Sequence, residues 1–245
     1  MMRLLSAELL KLRTTRVPYV LAGVVVLLSG IAAATVVGTN EFGPDRALDL
    51  VQAASLSGTV VMIIGILIVT NEYRHGTIAT TFLAEPHRNR VLGAKLVLGA
   101  GAGAAYALIV VVVTAAVALP WLAARDDALA FDAQVPEAIG RLLVSFALSG
   151  ALGVAIGAIF RTQVGAIVAT FVWFLIAEHL LAILVALAAG DVDDTASILR
   201  YLPGGAFGGI VGATELSGGA AIALAAAYVA ALGVLGGLAI VRRDP

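Results

Sequence analysis

The 245-residue chain has no cysteine, which excludes a disulfide framework, a thiol nucleophile and any Cys-ligated metal. Charge is scarce too. Asp, Glu, Lys and Arg make up 13% of the residues, against roughly 25% in an average soluble domain. The net charge of −1 gives no global pull toward nucleic acid, so none is expected as a partner. Lys11 and Lys95 are the only lysines, and no G-x-x-x-x-G-K-[ST] phosphate loop exists around either, which rules out ATP binding by that route. The histidines His75, His87 and His179 lie in different regions. Glu178-His179 has the wrong order for a zinc-protease HExxH, and no G-x-S-x-G elbow is present. The chain is therefore expected not to be an enzyme, and to bind no cofactor or metal of its own.

What is abundant is apolar. Hydrophobic residues reach 61% and mean hydropathy is +1.04, too high for disorder and too high to build a soluble surface. Crossing a bilayer takes about 20 apolar residues in a helix, and six stretches qualify: 17–38, 51–70, 97–119, 142–160, 164–188 and 219–241. Pro18 and Pro120 read as boundaries of the first and third. Runs such as Leu108–Val113 are apolar at every position, which excludes the alternation of a membrane β-barrel. The fold class is an all-α polytopic membrane protein, one transmembrane domain over 1–245.

Orientation follows from the basic residues. With the N-terminus in the cytoplasm, the inner segments hold eleven: Arg3, Lys11, Arg13, Arg16, Arg74, Arg88, Arg90, Lys95, Arg161, Arg242 and Arg243. The outer segments hold four: Arg46, Arg125, Arg141 and Arg200. Both termini are thus expected in the cytoplasm of a plasma-membrane protein. The first apolar run, about 22 residues, exceeds the 7–15 of a signal-peptide core and reads as a span. Ahead of it, residues 1–16 form an amphipathic segment with Leu5, Leu9 and Leu12 on one stripe. That pattern suits a helix lying in the membrane interface, although Glu8 and Arg16 fall near the stripe.

The cytoplasmic loop 71–96, NEYRHGTIATTFLAEPHRNRVLGAKL, is far longer than the 2–8 residues a helix connection needs. Gly76 reads as the stop of span two. A short helix over Thr77–Ala84 is expected to end before Pro86, which disfavours helix at Glu85. Arg88, Arg90 and Lys95 are expected at headgroup level where the chain re-enters the membrane. From these residues alone, a solvated positive loop and a docking loop for a soluble partner remain equally open.

The segments AELLKLRTTR, NEYRHGTI and PHRNRVLGAKL resemble permease subunits of ABC-2-type ABC transporters. Glu72, Arg74, Gly76 and Thr77 match an E-x-R-x-G-T motif, and Pro86, Arg88 and Lys95 match P-x-R-x(6)-K. The resemblance implies an elbow helix, six spans, and a coupling helix that seats in a groove of a separate ATPase subunit. Coupling would then fall to Glu72, Tyr73, Arg74, Gly76, Thr77, Ile78, Thr81, Phe82 and Glu85. It further implies two permease subunits, as homodimer or heterodimer, with two ATPase subunits that carry ATP and Mg2+.

Glu178 and His179 fall near the middle of span five, where ionisable residues are costly and raise a functional hypothesis. Glu178 reads either as part of a translocation path or as a neutral carboxyl bonded to a neighbouring helix. His179 points about 100° away from it. Small residues recur at four-residue spacing, Gly99 and Gly103, then Ser149, Gly153 and Gly157, then Gly233 and Gly237, and permit close helix packing. In the last outer loop, 189–217, Asp191, Asp193 and Asp194 read as a solvated face. The following YLPGGAFGGIVG is too short to span and reads as re-entrant. In the resembling family such a hairpin closes the outer end of the path, which marks Tyr201, Pro203 and Phe207 as an outer gate. The functional expectation is the permease subunit of an ATP-driven exporter of a hydrophobic, amphipathic or peptide-like cargo. Two other classes compete: a secondary transporter carrying protons on Glu178, and a non-transporting membrane scaffold.

Overall fold

The computed structural model describes residues 2–39, 46–125, 134–190 and 195–242. Among these, every regular element is a helix: α1 (Met2–Thr14), α2 (Val17–Thr39), α3 (Arg46–Ala54), α4 (Gly58–Arg74), α5 (Ile78–Ala84), α6 (Arg88–Ala123), α7 (Gln134–Phe160), α8 (Gln163–Val172), α9 (Glu178–Ala189), α10 (Thr195–Leu199), α11 (Pro203–Ile210) and α12 (Gly218–Arg242). Asp191, Asp193 and Asp194 lie outside the described residues.

Six helical stretches are long and apolar enough to cross a membrane: Val17–Thr39, Arg46–Arg74, Arg88–Ala123, Val135–Phe160, Gln163–Ala188 and Gly218–Arg242. They coincide with the six apolar runs and extend beyond most of them. Backbone hydrogen bonds continue the helix into polar flanks, because nothing forces a break where hydropathy falls. Pro120 is a clear case. It sits inside α6, which runs on to Ala123: the proline costs its own N–H bond, but the helix resumes beyond it, and the Ala124 amide one turn on donates to the Pro120 carbonyl at 3.0 Å.

Two spans are interrupted. In the second, a 3-10 turn over Ser55–Ser57 joins α3 to α4, and in the fifth a π turn over Trp173–Ala177 joins α8 to α9. The π turn carries no sequence signal, since WFLIA is uniformly apolar, whereas the 3-10 turn falls where Ser55, Ser57 and Gly58 interrupt the apolar run.

The bundle is organised around α7, which packs against α4, α6 and α12. The contact is nearly backbone to backbone. A Cβ at Gly65 would collide with the Gly150 carbonyl, one at Gly153 with the Met62 carbonyl, and one at Gly103 with the Phe146 carbonyl. Small residues supply this fit because the bilayer offers no hydrophobic drive between helices, and dispersion at close range must replace it. Gly99, Gly103, Gly153 and Gly157 therefore serve packing within the chain. Gly233 and Gly237 meet only ordinary neighbours, Leu96 and Asn89, whereas Gly236 approaches Ala158 closely. Span five lies at the periphery, with Val164, Leu175, Leu180 and Leu187 exposed, as suits a surface bathed in lipid.

Candidate functional site

Span two ends at a shaped stop. Gly76 takes φ +68°, its N–H donates to the Tyr73 carbonyl at 3.3 Å, and the Thr77 N–H donates to the Glu72 carbonyl at 3.0 Å. These two bonds form the Schellman arrangement that terminates a helix with a left-handed glycine. The short helix α5 follows over Ile78–Ala84, one residue inside the expected Thr77–Ala84. It closes at Glu85, whose extended backbone precedes Pro86.

Beneath this turn lies a cluster of four charges from three helices. Lys95 on α6 is 2% exposed, and its Nζ lies 2.6 Å from Glu8 Oε2 and 2.9 Å from Glu72 Oε1. Lys11 Nζ lies 2.6 Å from Glu8 Oε1 and 2.6 Å from Glu72 Oε1. Glu8 and Glu72 are themselves buried. Two acids and two bases cancel, the condition under which buried charge is tolerated. Lys95 also donates to the Ile68 carbonyl at 3.3 Å, and Lys11 reaches the Thr81 hydroxyl of α5 at 3.4 Å. Burial pushes the Glu8 carboxyl up. The charge of Lys95 and hydrogen bonds from both lysines outweigh that, so its pKa is lowered. Lys11 is raised: its two carboxylate partners overcome the opposing effect of burial.

Lys95 is therefore turned into the bundle rather than toward the surface. Its aliphatic stem runs into the bundle and its ammonium is paired there, while Arg90 and Pro86 are exposed and Arg88 donates to the Ile240 carbonyl at 2.7 Å. Glu8 and Lys11 were missed as site residues. The signal was present: a glutamate close to an apolar stripe is out of place unless an interior cation receives it.

Around the cluster, the other loop residues divide by direction. Tyr73 is half-buried beneath the Arg161 guanidinium, 5.4 Å from its ring centre, and Phe82 carries the Arg88 guanidinium at 5.1 Å. Ile78 is buried. Arg74 is exposed and donates to Gln163 Oε1 at 3.1 Å. Glu85 accepts from the His87 ring at 2.9 Å and its amide at 3.3 Å, which hold its pKa down. Leu83, which the sequence did not single out, is 83% exposed at the tip of α5.

At the far end of the bundle, Glu178 is buried and His179 points outward, as adjacent helical positions require. Glu178 Oε1 accepts from Trp173 Nε1 at 2.7 Å, and both of its oxygens accept from the Gly204 amide, at 2.9 and 3.1 Å. Gly204 belongs to the first turn of α11, behind Pro203. The Tyr201 carbonyl accepts from the Tyr228 hydroxyl at 2.8 Å, and Phe207 is buried. The carboxyl in span five and the short apolar helix are thus joined.

None of the curated proteins compared matches the chain. Residues 4–177 match the family model for the ABC-2 family transporter protein, a stretch that holds α1, the buried charge cluster, α5 and the first five spans short of Glu178. The chain belongs to the ABC-2 transporter family, as a membrane-spanning permease component of an ABC transporter.

Proposed function

We propose that the chain is the translocating subunit of an exporter in the plasma membrane, working in a pair and driven by a separate ATPase subunit that binds ATP and Mg2+. In this reading α1 lies along the cytoplasmic surface as the elbow helix, both termini are cytoplasmic, and α5 is the coupling helix that seats in the ATPase. The observation that carries it is the construction of α5. A helix of seven residues is tied from below by the Lys11–Thr81 bond and the buried Ile78, yet presents Leu83 almost fully to solvent. An apolar side chain so placed outside the spans fits a pocket on a partner, with the flanking Thr80 and Ala84 exposed beside it.

The buried cluster explains how a push on α5 would reach the bundle. Lys11 touches α5 through Thr81 and α4 through Glu72, and Lys95 joins α4 to α6. Movement of α5 therefore carries α1, span two and span three as one body. Conversion of that motion into alternating access is the task of a permease whose energy comes from elsewhere. A cavity of about 180 Å³ between α4, α7 and α11 mixes Ser145, Ser149 and Thr59 with Phe174 and Phe207. This lining supports an amphipathic cargo over a small ion.

The test is affinity capture of the tagged chain in mild detergent, with mass spectrometry of what remains bound. A stoichiometric subunit carrying a phosphate-binding loop, lost with Leu83→Asp while the variant still folds, is the expected result. Absence of any ATPase under conditions that preserve such complexes, together with cargo uptake into vesicles driven by a proton gradient alone, would overturn the reading.

A further inference from the structure

The two departures from α-helical geometry inside the spans face one space. The 3-10 turn of span two contributes Ser55, and the π turn of span five contributes Phe174, to the cavity that Thr59, Ser145, Ser149 and Phe207 also line. Irregular backbone at membrane depth is tolerated where it lines a cavity, and π turns within helices recur at functional positions. The helix α11 forms one wall, through Gly204, Phe207 and Gly208, and two bonds fasten its leading end. One is Tyr228 to the Tyr201 carbonyl. The other is the Gly204 amide to Glu178, whose carboxyl is oriented by Trp173 from the π turn itself. The approach is so close that a Cβ at Gly204 would run into Glu178 Oε2.

We propose that Glu178 is the latch that holds α11 in place as a wall of this cavity, and that the cavity widens when the Gly204 amide leaves the carboxyl. Glu178 acts through α11 and is a positioning residue. The π turn supplies the release. Shifting such a turn by one residue rotates the side chains it passes by about 100°, which swings Glu178 away from Gly204 without breaking the span. The inference rests on reading α11 as the outer gate of a permease, but its test needs neither the ATPase nor the cargo.

Because the chain has no native cysteine, a single one reports cleanly. Ser149→Cys is nearly isosteric and lies in the cavity; Val154→Cys, on the same helix and fully buried, reports the core. Each is placed in the full chain in nanodiscs and its rate of reaction with a water-soluble maleimide is measured. Adding Glu178→Ala is expected to accelerate labelling at 149 about tenfold or more, the size of losing a buried hydrogen bond, and to leave 154 unchanged. Glu178→Gln, whose amide oxygen still accepts from Gly204, is expected to stay within about threefold of the parent. Should Glu178→Ala fail to insert, Trp173→Phe removes the indole donor that orients the carboxyl and is expected to accelerate labelling at 149 while leaving 154 unchanged. Unchanged labelling at 149, or equal acceleration at 149 and 154, overturns the latch. Capture of an ATPase with no latch effect would leave the transporter reading standing, whereas a latch effect with no ATPase would count against that reading alone.

Discussion

Replacing Lys95 with Met tests the buried cluster most directly. Methionine keeps most of the lysine stem's volume and removes only the charge. The ammonium at 2.6 Å from Glu8 and 2.9 Å from Glu72 disappears, leaving two buried carboxylates to share Lys11, whose side chain is 47% exposed. Removing one partner of a buried ion pair costs about 3–5 kcal/mol, because the remaining charge is stranded. Lys11→Met leaves the same two carboxylates to Lys95 but removes a half-exposed lysine, so it should cost less than Lys95→Met and more than the ~1 kcal/mol of a surface pair. Adding Glu8→Gln to Lys95→Met restores neutrality, leaving Lys11 with Glu72, and should recover most of the loss. The assay is reversible unfolding in mixed micelles, with the four proteins of the Glu8/Lys95 cycle compared under one condition. A Lys95→Met cost below about 1 kcal/mol, or a double variant less stable than Lys95→Met alone, would refute the claim that these charges form one unit.

The cluster also fixes a pH response for the attachment of α1. Glu8 is lowered in the folded chain, so its contribution is complete above the ordinary carboxylate range and lost as pH falls through its depressed value. Lys11 is raised, so its contribution is complete below the ordinary lysine range and lost as pH rises past it. Limited proteolysis after α1 should therefore be flat near neutrality and increase at both extremes; an increase between pH 6 and 8 would contradict the assignment. Gly153→Ala, which drives a methyl into the Met62 carbonyl, should abolish folded yield. Gly101→Ala, with open space at its Cβ, should be neutral or stabilise by up to about 1 kcal/mol, read by size-exclusion profile and melting. A fluorescent protein fused after Pro245 should be fluorescent and an alkaline phosphatase inserted at residue 128 active; the reverse pattern would invert the proposed topology.

Hydropathy alone located the six spans because a bilayer leaves the backbone one choice at that depth, a continuous helix. The same uniformity hides what happens inside a span. Trp173–Ala177 reads WFLIA, with no proline or glycine to announce a π turn. Close helix contacts were legible as a class but not as pairs. Which glycines face a backbone depends on the neighbour, and Gly236, outside the four-residue pattern, takes the place of Gly233.

The site was legible in its residues but not in how their side chains pair. Sequence placed Glu72 and Lys95 in two separate motifs, one closing span two and one opening span three, and gave no reason for their separation. In the fold they are partners, 2.9 Å apart. The loop between them is long because it must leave the membrane, build α5, turn at Pro86 and return with Lys95 two turns inside α6, level with the carboxyl it left behind. Glu8 completes the arrangement from α1 on the same principle. A charge that disturbs an apolar stripe must find its opposite on the surface it packs against, and Lys95, with Lys11 at the rim, meets that need. A loop closed at its base by an ion pair does not flex independently of the spans it joins. In the proposed function, that constraint would let a helix of seven residues move spans two and three together rather than bend its own connections.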